Sequence, residues 1–404
     1  MGSRLEELAF LVSCYHGKDL MRFAIDAHAI GRHLTGNEVY VRSLLRSFAA
    51  LDHESDFVTY FSADDARQWT AERFQARQVS PNPFVRLGVE LAMKLRQDRP
   101  DLVHVQYTAP LGCPVPVVVS VHDVSFLEHP EYFPKLRALQ LRWTVNRTIR
   151  CATRILTGSD FSRDSIVQAY GEECARKIVV VPNAAASGLR PISRESATAA
   201  ARATLRIAKP FVLSVGDLQP RKNQIGLIQA FAELIRAYPQ FTHHLVLAGK
   251  DTWFSPKVRE AARQSGVADR IQFAGFVSDE DLLHLYNACD LFVFPSFYEG
   301  FGLPVLEAMA CGRAVACANT SSMPEVADGA GILFDPQSKT EIVRALADIL
   351  LNPELRARLE RLGLQRAALF TWNRTAERTL EVYQDVAGAK RKSLESLPVA
   401  SMRQ

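Results

Sequence analysis

Two glutamates eight positions apart, Glu299 and Glu307, carry the clearest chemical signal in this sequence of 404 residues. They lie in residues 294–308, where an apolar run leads into a loop with Gly300 and Gly302 and then into a helical pattern. Carboxylates accept hydrogen bonds from vicinal hydroxyls, and glycines let backbone N–H groups approach a ligand closely. We therefore predict a strand–loop–helix turn that binds the oxygens of a sugar or a phosphate. The competing interpretation makes Glu299 a helix cap and Glu307 a surface ion-pair partner.

A second pattern joins a glycine to two adjacent cations. Gly216 follows an apolar run, and Arg221 and Lys222 stand just before a helical pattern that begins near Asn223. A helix N-terminus attracts anions, and an arginine fork beside a lysine point charge suits a diphosphate. The pattern predicts a diphosphate site, and the alternative is a solvated pair of cations at a loop tip.

Two further segments are weaker candidates. His122 stands at the end of the apolar run 117–121, where a neutral imidazole could donate to a sugar hydroxyl or transfer a proton. The alternative is a core histidine that is satisfied by Asp123. Gly36 lies in the loop between the first predicted strand and the first predicted helix, and an ordinary loop is an equal interpretation there.

Short apolar runs alternate with helical patterns along the chain, which predicts an α/β fold with parallel sheets. We expect strands at 22–27, 101–106, 115–121, 153–157, 178–181, 210–215, 244–248, 271–273, 291–295 and 314–317. Residues 183–206 interrupt the rhythm and are interpreted as a linker. Because such sheets bind ligands at the carboxyl ends of their strands, two tandem units predict a site in the cleft between them.

This rhythm divides the chain into predicted segments. They are an N-terminal extension at 1–20, a Rossmann-like domain at 21–190, a second at 191–370, a helix at 371–387 and a flexible tail at 388–404.

Composition excludes several classes of protein. Lys and Arg total 48 against 44 Asp and Glu, a net charge of +4 that does not suit a nucleic-acid binder. Seven scattered cysteines without a C-x-x-C pair argue against a zinc ribbon or a disulfide scaffold.

No run reaches the roughly 18 apolar residues of a membrane span, and we expect a cytoplasmic protein. The helical pattern at 136–150 contains four arginines, which suits either a half-buried helix or a peripheral contact with the inner face of a membrane.

Taken together, the motifs resemble the retaining glycosyltransferases of family 4, also called glycosyl transferases group 1. The most specific element is E-G-F-G-L-P-x-L-E-A from Glu299 to Ala308, joined by G-D-L-Q-P-R-K-N from Gly216 and by S-S-M-P-E-V from Ser321 to Val326. I-D-A at 25–27, L-T-G at 34–36 and the V-H-D-V-S-F run around His122 extend the likeness over about 21–386.

The resemblance implies the GT-B fold, in which two Rossmann-like doubly wound domains face a central cleft. It implies that Arg221 and Lys222 hold the donor diphosphate, that Glu307 accepts from the ribose hydroxyls and that Glu299 contacts the donor sugar. His122 would lie beside that sugar. The implied catalytic residues are His122, Glu299, Arg221 and Lys222. The implied donor-binding residues are Gly36, Gly216, Arg221, Lys222, Glu299, Gly300, Phe301, Gly302, Leu303 and Glu307. At position 217 the family commonly has a neutral residue, and this chain has Asp217. The segment 37–40 after Gly36 also departs from the family pattern, since it reads Asn-Glu-Val-Tyr where Ile-Gly-Arg-Tyr is common.

The implied activity is transfer of a hexose from a nucleotide sugar with retention of the anomeric configuration, the leaving phosphate taking the acceptor's proton. The second half is similar to bacterial mannosyltransferases of polysaccharide assembly, which favours GDP-mannose over a UDP-sugar as donor. The implied acceptor is a glycan or a lipid-linked glycan, and neither a metal nor another cofactor is expected. Two alternatives stay open: a non-catalytic GT-B protein that binds sugar nucleotides or acts as a scaffold, and a sugar-nucleotide epimerase.

Overall fold

The computed structural model describes residues 20–32 and 35–395. The predicted extension at 1–20 therefore lies outside the described residues except for Leu20, as does the part of the predicted tail beyond residue 395.

The first parallel sheet has seven strands, and most of them are apolar runs that are buried along their length. They are β1 Arg22–Asp26, β2 Asp56–Phe61, β3 Gln75–Gln78, β4 Leu102–Gln106, β5 Val117–Ser120, β6 Arg154–Thr157 and β7 Ile178–Val180. Their order is β3-β2-β1-β4-β5-β6-β7, and the pairs from β3 to β5 are parallel. Ala24 of β1 pairs with Val58 on one side and Val103 on the other, which fixes the register at the centre of the sheet.

The second sheet repeats this topology with six strands. They are β8 Phe211–Val215, β9 His244–Ala248, β10 Ile271–Gly275, β11 Leu291–Phe294, β12 Val315–Ala318 and β13 Ile332–Phe334. The order is β10-β9-β8-β11-β12-β13, with parallel pairing throughout. The strand order reverses between β8 and β11, and the carboxyl ends at such a switch point form the usual ligand crevice of a doubly wound sheet. The predicted α/β class with two doubly wound parallel sheets is confirmed.

Helices connect the strands. They are α1 Thr35–Leu51, α2 Leu91–Asp98, α3 Ser125–Glu128, α4 Lys135–Cys151, α5 Asp160–Tyr170, α6 Glu172–Ala175, α7 Arg194–Leu205, α8 Gln224–Ala237, α9 Ser255–Gln264, α10 Asp279–Ala288, α11 Leu303–Ala310, α12 Met323–Ala327, α13 Lys339–Leu351, α14 Pro353–Ala367 and α15 Trp372–Glu395. Short helical turns at Pro83–Val85 and Arg86–Glu90 lead into α2. Within the described part of the chain, no helix has the length and apolar content needed to cross a bilayer.

The chain divides into two compact units that are discontinuous in sequence. One comprises the described residues of Met1–Ser120, Arg147–Ile155 and Ala376–Gln404, and the other comprises Val121–Asn146 and Leu156–Thr375. We call them unit 1 and unit 2. The predicted domain boundaries stay a prediction.

Two expectations about secondary structure need correction. The predicted linker contains helix α7, which Ser193 caps by accepting from the N–H of Ser196. Alanine is the strongest helix former, and Ala197 and Ala201 of this helix are buried against the core. The last helix runs to Glu395, beyond the predicted end near residue 386, because Arg391 near its end pairs with Asp101 at 3.0 Å within unit 1.

A buried polar network fastens the last helix to the first sheet inside unit 1. Tyr383 of α15 lies 2.5 Å from Nδ1 of His104 on β4, and Nε2 of His104 lies 2.7 Å from the hydroxyl of Ser120. Tyr40 of α1 shares the same hydroxyl at 2.8 Å. Because buried polar groups are costly without partners, this network fixes how the helix packs.

Candidate active site

The candidate site is built on the strand–loop–helix turn that follows β11. The strand is fully buried, and the loop enters α11 through Gly302, whose φ of +89° lies in the left-handed region that favours glycine. Glu299 lies in the loop and Glu307 on the helix, and both are buried, with 7% and 6% of their surface exposed. The predicted arrangement of the two carboxylates on either side of the turn is therefore present.

Arg221 and Lys222 converge on Glu299. Lys222 Nζ lies 2.6 Å from Oε1 of Glu299, and Arg221 Nη1 lies 2.8 Å from Oε2. Burial opposes the charge on Glu299, but the two cations outweigh it and lower its pKa to about 2. Burial, together with the neighbouring guanidinium, lowers the pKa of Lys222, and Glu299 offsets part of that effect. Two cations thus share a single buried carboxylate as their partner. A more highly charged anion would compete with that carboxylate for both of them.

Gly216 makes room for the lysine. Its φ is +151°, and a Cβ built there would lie 3.2 Å from Cε of Lys222. The ammonium lies 4.7 Å from the ring centre of Phe294, the last residue of β11, so the lysine stem lies between the ends of β8 and β11. Asp217, the departure from the family pattern, accepts from the N–H of Lys250 at 3.1 Å.

Glu307 has a different electrostatic setting. Tyr286 of α10 donates to its Oε2 at 2.8 Å. Burial raises the pKa of Glu307 to about 7, with Asp279 adding to the effect, while the Tyr286 hydrogen bond and the Lys222 charge oppose it. The carboxyl therefore titrates close to neutral pH, and in its ionised form it accepts hydrogen bonds from hydroxyl groups.

His122 lies beside the glutamate loop. A Cβ on Gly300 would lie only 2.0 Å from the carbonyl oxygen of His122, so glycine alone permits this approach of the two backbones. Burial lowers the pKa of His122 to about 4, with Asp123 opposing, so the imidazole is neutral at pH 7. Within unit 2, the structure thus places Arg221 and Lys222 in contact with Glu299, and the backbone of His122 against Gly300.

The remaining predicted residues have diverse surroundings. Phe301 is buried with its ring 5.9 Å from that of Phe370, so its side chain belongs to the core and its backbone alone remains available to a ligand. Leu303 is the first residue of α11. Gly36 is an exposed residue of α1 in unit 1, in the helix rather than in the predicted loop before it. Its expected approach to the diphosphate stays a prediction.

Sequence reasoning missed the residues that hold the glutamate loop. Ser321 accepts from the N–H of Glu299 at 3.0 Å, and Ser322 donates to its carbonyl at 2.9 Å. The S-S-M-P-E-V motif therefore fixes the backbone of the first glutamate, a role that the motif alone does not reveal.

A second support comes from α5. This helix begins at Asp160, and Ser159 caps it by accepting from the N–H of Ser162. The Ser159 hydroxyl donates to the carbonyl of Gly300 at 2.6 Å, and the carboxylate of Glu325 accepts from the N–H groups of Asp160 and Phe161 at 3.0 and 3.3 Å. The contact between Ser159 and Gly300, 141 residues apart in the chain, could not be read from the sequence.

Among the residues that the structure describes, no three His, Cys, Asp or Glu side chains are grouped as metal ligands would be. The chemistry that the site offers is charge stabilisation at an anion, carboxylate acceptors for hydroxyls and a neutral imidazole.

Two doubly wound sheets with this strand order form the fold of the GT-B glycosyltransferases. Anabaena Alr3699/HepE, solved in complex with UDP and glucose, superposes with a TM-score of 0.69 and 22% identity over 94% of this chain and 100% of that one.

The chain belongs to the glycosyltransferases of group 1 and family 4: residues 198–366 match the model "Glycosyl transferases group 1", and residues 34–185 match "Glycosyltransferase Family 4". O-antigen chain mannosyltransferase B of Escherichia coli is 34% identical over 267 residues, which are 66% of this chain and 70% of that protein. The serotype-specific mannosyltransferase WbdA of Escherichia coli is 37% identical over 176 residues, 42% of this chain and 21% of that protein.

Proposed function

We propose that this glycosyltransferase moves mannose from GDP-mannose to a glycan or lipid-linked glycan in the assembly of a cell-surface polysaccharide, with retention of the anomeric configuration. The observation that carries the proposal is the pairing of Arg221 and Lys222 with Glu299 at the switch point of the second sheet, with Glu307 on the helix that follows. The relatives named above as mannosyltransferases support mannose as the transferred sugar.

In the proposed reaction, the diphosphate of the donor displaces part of the Glu299 contact with the two cations. The bond between the anomeric carbon and the leaving phosphate oxygen breaks, and Arg221 and Lys222 stabilise the charge that develops there. The acceptor oxygen bonds to the anomeric carbon on the same face, and its proton passes to the leaving phosphate. Neutral His122 donates a hydrogen bond to the sugar, and no group on the protein forms a covalent intermediate.

Glu299 and Glu307 position the donor in this proposal. Glu299, freed from one cation, accepts from a hydroxyl of the donor sugar, while the amides of the 300–303 segment bind its other oxygens. Glu307 accepts from the hydroxyls of the ribose, for which an ionised carboxylate is the better partner.

Transfer by the Glu299→Gln variant tests the proposal. The substitution keeps the volume of the side chain, and we expect turnover with GDP-mannose and a mannose oligosaccharide to fall at least about 100-fold. Nucleotide binding should persist, because the two cations lose a competing carboxylate. Unchanged turnover would remove Glu299 from the reaction, and GDP binding without any transfer by the wild-type protein would contradict the proposed activity.

We further propose that the protein works on the cytoplasmic side of a membrane and docks there through α4. This helix carries Lys135, Arg137, Arg142, Arg147 and Arg150 and no acidic residue. On its outward face, Leu136, Leu139 and Trp143 are 84%, 65% and 62% exposed. Apolar side chains among cations suit an interface with anionic lipid.

Cosedimentation with vesicles tests the docking. We expect binding to vesicles that contain an anionic lipid, loss of that binding at high salt, and weaker binding by Trp143→Ala. Equal binding to neutral and anionic vesicles, or no binding, would contradict it.

A further inference from the structure

A cavity of about 630 Å³ opens in unit 2 next to the candidate site. Its walls are the first turn of α8, the loops after β11, β12 and β13, and the segment that follows α3. Glu299, Glu307 and Lys222 do not line it. Its volume lies within the usual range for small-molecule sites.

One wall of the cavity is aromatic. The rings of His129 and Tyr132 stack with centroids 4.9 Å apart and planes inclined by 19°, and Phe297 lies on the wall formed by the loop after β11. His129 also meets Tyr298 edge to face at 5.6 Å, which fixes the pair against the glutamate loop. A rigid aromatic surface of this kind suits the apolar C–H face of a sugar ring.

The rest of the lining is polar but carries little charge. Gln229, Gln337 and Thr320 offer amide and hydroxyl groups. Among the described residues, no Asp or Glu lines the cavity, and its one lysine, Lys339, already lies 2.8 Å from a carboxylate oxygen of Glu233. A neutral ligand with many hydroxyls fits this lining better than a strong anion or a cation.

The cavity is joined to the candidate site through two short contacts. The N–H of Phe297 donates to the carbonyl of Arg221 at 2.8 Å, and Thr320 donates to the carbonyl of Phe297 at 3.2 Å. Thr320 immediately precedes Ser321, which holds the backbone of Glu299. A ligand in the cavity therefore touches the same loops that position the donor.

We propose that this cavity is a second carbohydrate subsite, which binds neutral sugar residues of the acceptor glycan away from its reacting end. The proposal rests on the proposed function for the identity of the glycan, but not for the existence of the subsite. An occupied subsite gives longer acceptors additional binding energy, so the enzyme favours a growing chain over a short primer.

The first experiment measures binding alone, without donor. Saturation-transfer NMR and calorimetry would follow a mannose disaccharide, a tetrasaccharide and an octasaccharide binding to the full chain. We expect affinity to rise with length, and to fall about tenfold for the octasaccharide in Tyr132→Ala and in Gln337→Ala, which alter the aromatic and the polar part of the lining respectively. Tyr132→Phe keeps the ring and should bind as the wild type does. Trp253→Ala removes an aromatic side chain that is 54% exposed and does not line the cavity, and it serves as the matched control.

The second experiment measures transfer to the same acceptors. Tyr132→Ala should raise KM for the octasaccharide about tenfold while leaving kcat and the KM for the disaccharide unchanged. Equal effects on all acceptor lengths, or saturable binding of inorganic phosphate that Gln337→Ala abolishes, would overturn the subsite. Length-dependent binding without any transfer would support the subsite and contradict the proposed function, so the two failures are distinguishable.

Discussion

At the scale of single residues, the site depends on how Glu299 is neutralised. A carboxylate this deeply buried would be protonated without partners, and its two cations keep it ionised. Removing one member of a buried ion pair is costly because the other charge remains in a poorly solvated place. The buried Lys222 and the half-buried Arg221 thus share one carboxylate, and in the proposed reaction a diphosphate replaces it as their main partner.

Lys222→Ala should weaken the binding of nucleoside diphosphate about 10- to 100-fold, since a hydrogen bond to a charged group contributes about 1.5–3 kcal/mol. Calorimetry with GDP measures the effect. Lys209→Ala is the control, because Lys209 is an exposed lysine just before β8, at the amino end of the strand that leads to Gly216. A wild-type dissociation constant in Lys222→Ala would remove this lysine from the diphosphate site.

The raised pKa of Glu307 predicts that nucleotide affinity depends on pH. Below a pKa of about 7 the carboxyl is largely protonated, and above it the carboxylate is ionised and suits the proposed role of accepting from the ribose hydroxyls. Affinity for GDP should therefore increase as pH rises through neutrality, and Glu307→Gln should flatten the profile at the low-affinity level. A wild-type profile that is flat, or that falls with rising pH, would contradict the assigned role.

The same shift affects stability with a definite sign. A carboxyl whose pKa is raised on folding stabilises the native state most below its unfolded pKa, and that contribution is lost as pH rises to about 7. In the absence of nucleotide, Glu307→Gln should therefore lose less stability than the wild type between mildly acidic and neutral pH, as measured by chemical denaturation.

At the scale of secondary-structure elements, the site depends on close backbone contacts. Gly300 lies against the carbonyl of His122, and its own carbonyl accepts from Ser159. Within unit 2, these contacts hold the loop before α11 against the backbone of His122 and the start of α5. The loop geometry is therefore set from outside the loop itself.

Gly300→Ala should disturb that geometry, because its Cβ would lie 2.0 Å from a backbone oxygen that cannot easily move. We expect a large fall in kcat and a lower melting temperature. Gly188→Ala is the matched control, since nothing lies within 4 Å of a Cβ at that position. Normal turnover in Gly300→Ala would show that the loop tolerates a shift and that the contact is incidental.

Sequence patterns predicted the elements that carry the site better than those at the edges of the sheets. Strands β8, β9 and β11 lie within one residue of their predicted bounds, because buried parallel strands are continuous apolar runs. The edge strand β3 reads Gln-Ala-Arg-Gln and gives no apolar signal. The partners of Glu307 and Gly300 were also missed, since Tyr286 and Ser159 meet them only through the tertiary fold.

At the scale of the whole molecule, donor binding should stabilise the folded chain. A ligand at about 100 times its dissociation constant adds roughly 2.7 kcal/mol to the free energy of unfolding. We expect GDP to raise the melting temperature more than UDP, ADP or dTDP does, and Lys222→Ala to lose most of that increase. A larger increase with UDP would keep the glycosyltransferase activity and change the proposed donor.

Transfer of mannose from GDP-mannose with retention is the reaction proposed for this chain, and proton NMR of the reaction mixture tests it most directly. Donor and a mannose oligosaccharide are incubated with the wild-type protein and with Glu299→Gln, and the anomeric signals are followed over time. We expect the wild type to consume the donor, form a new linkage with the donor's anomeric configuration and release GDP, and Glu299→Gln to do so at least about 100-fold more slowly. A product of inverted configuration, or no product from any nucleotide sugar supplied, would contradict it.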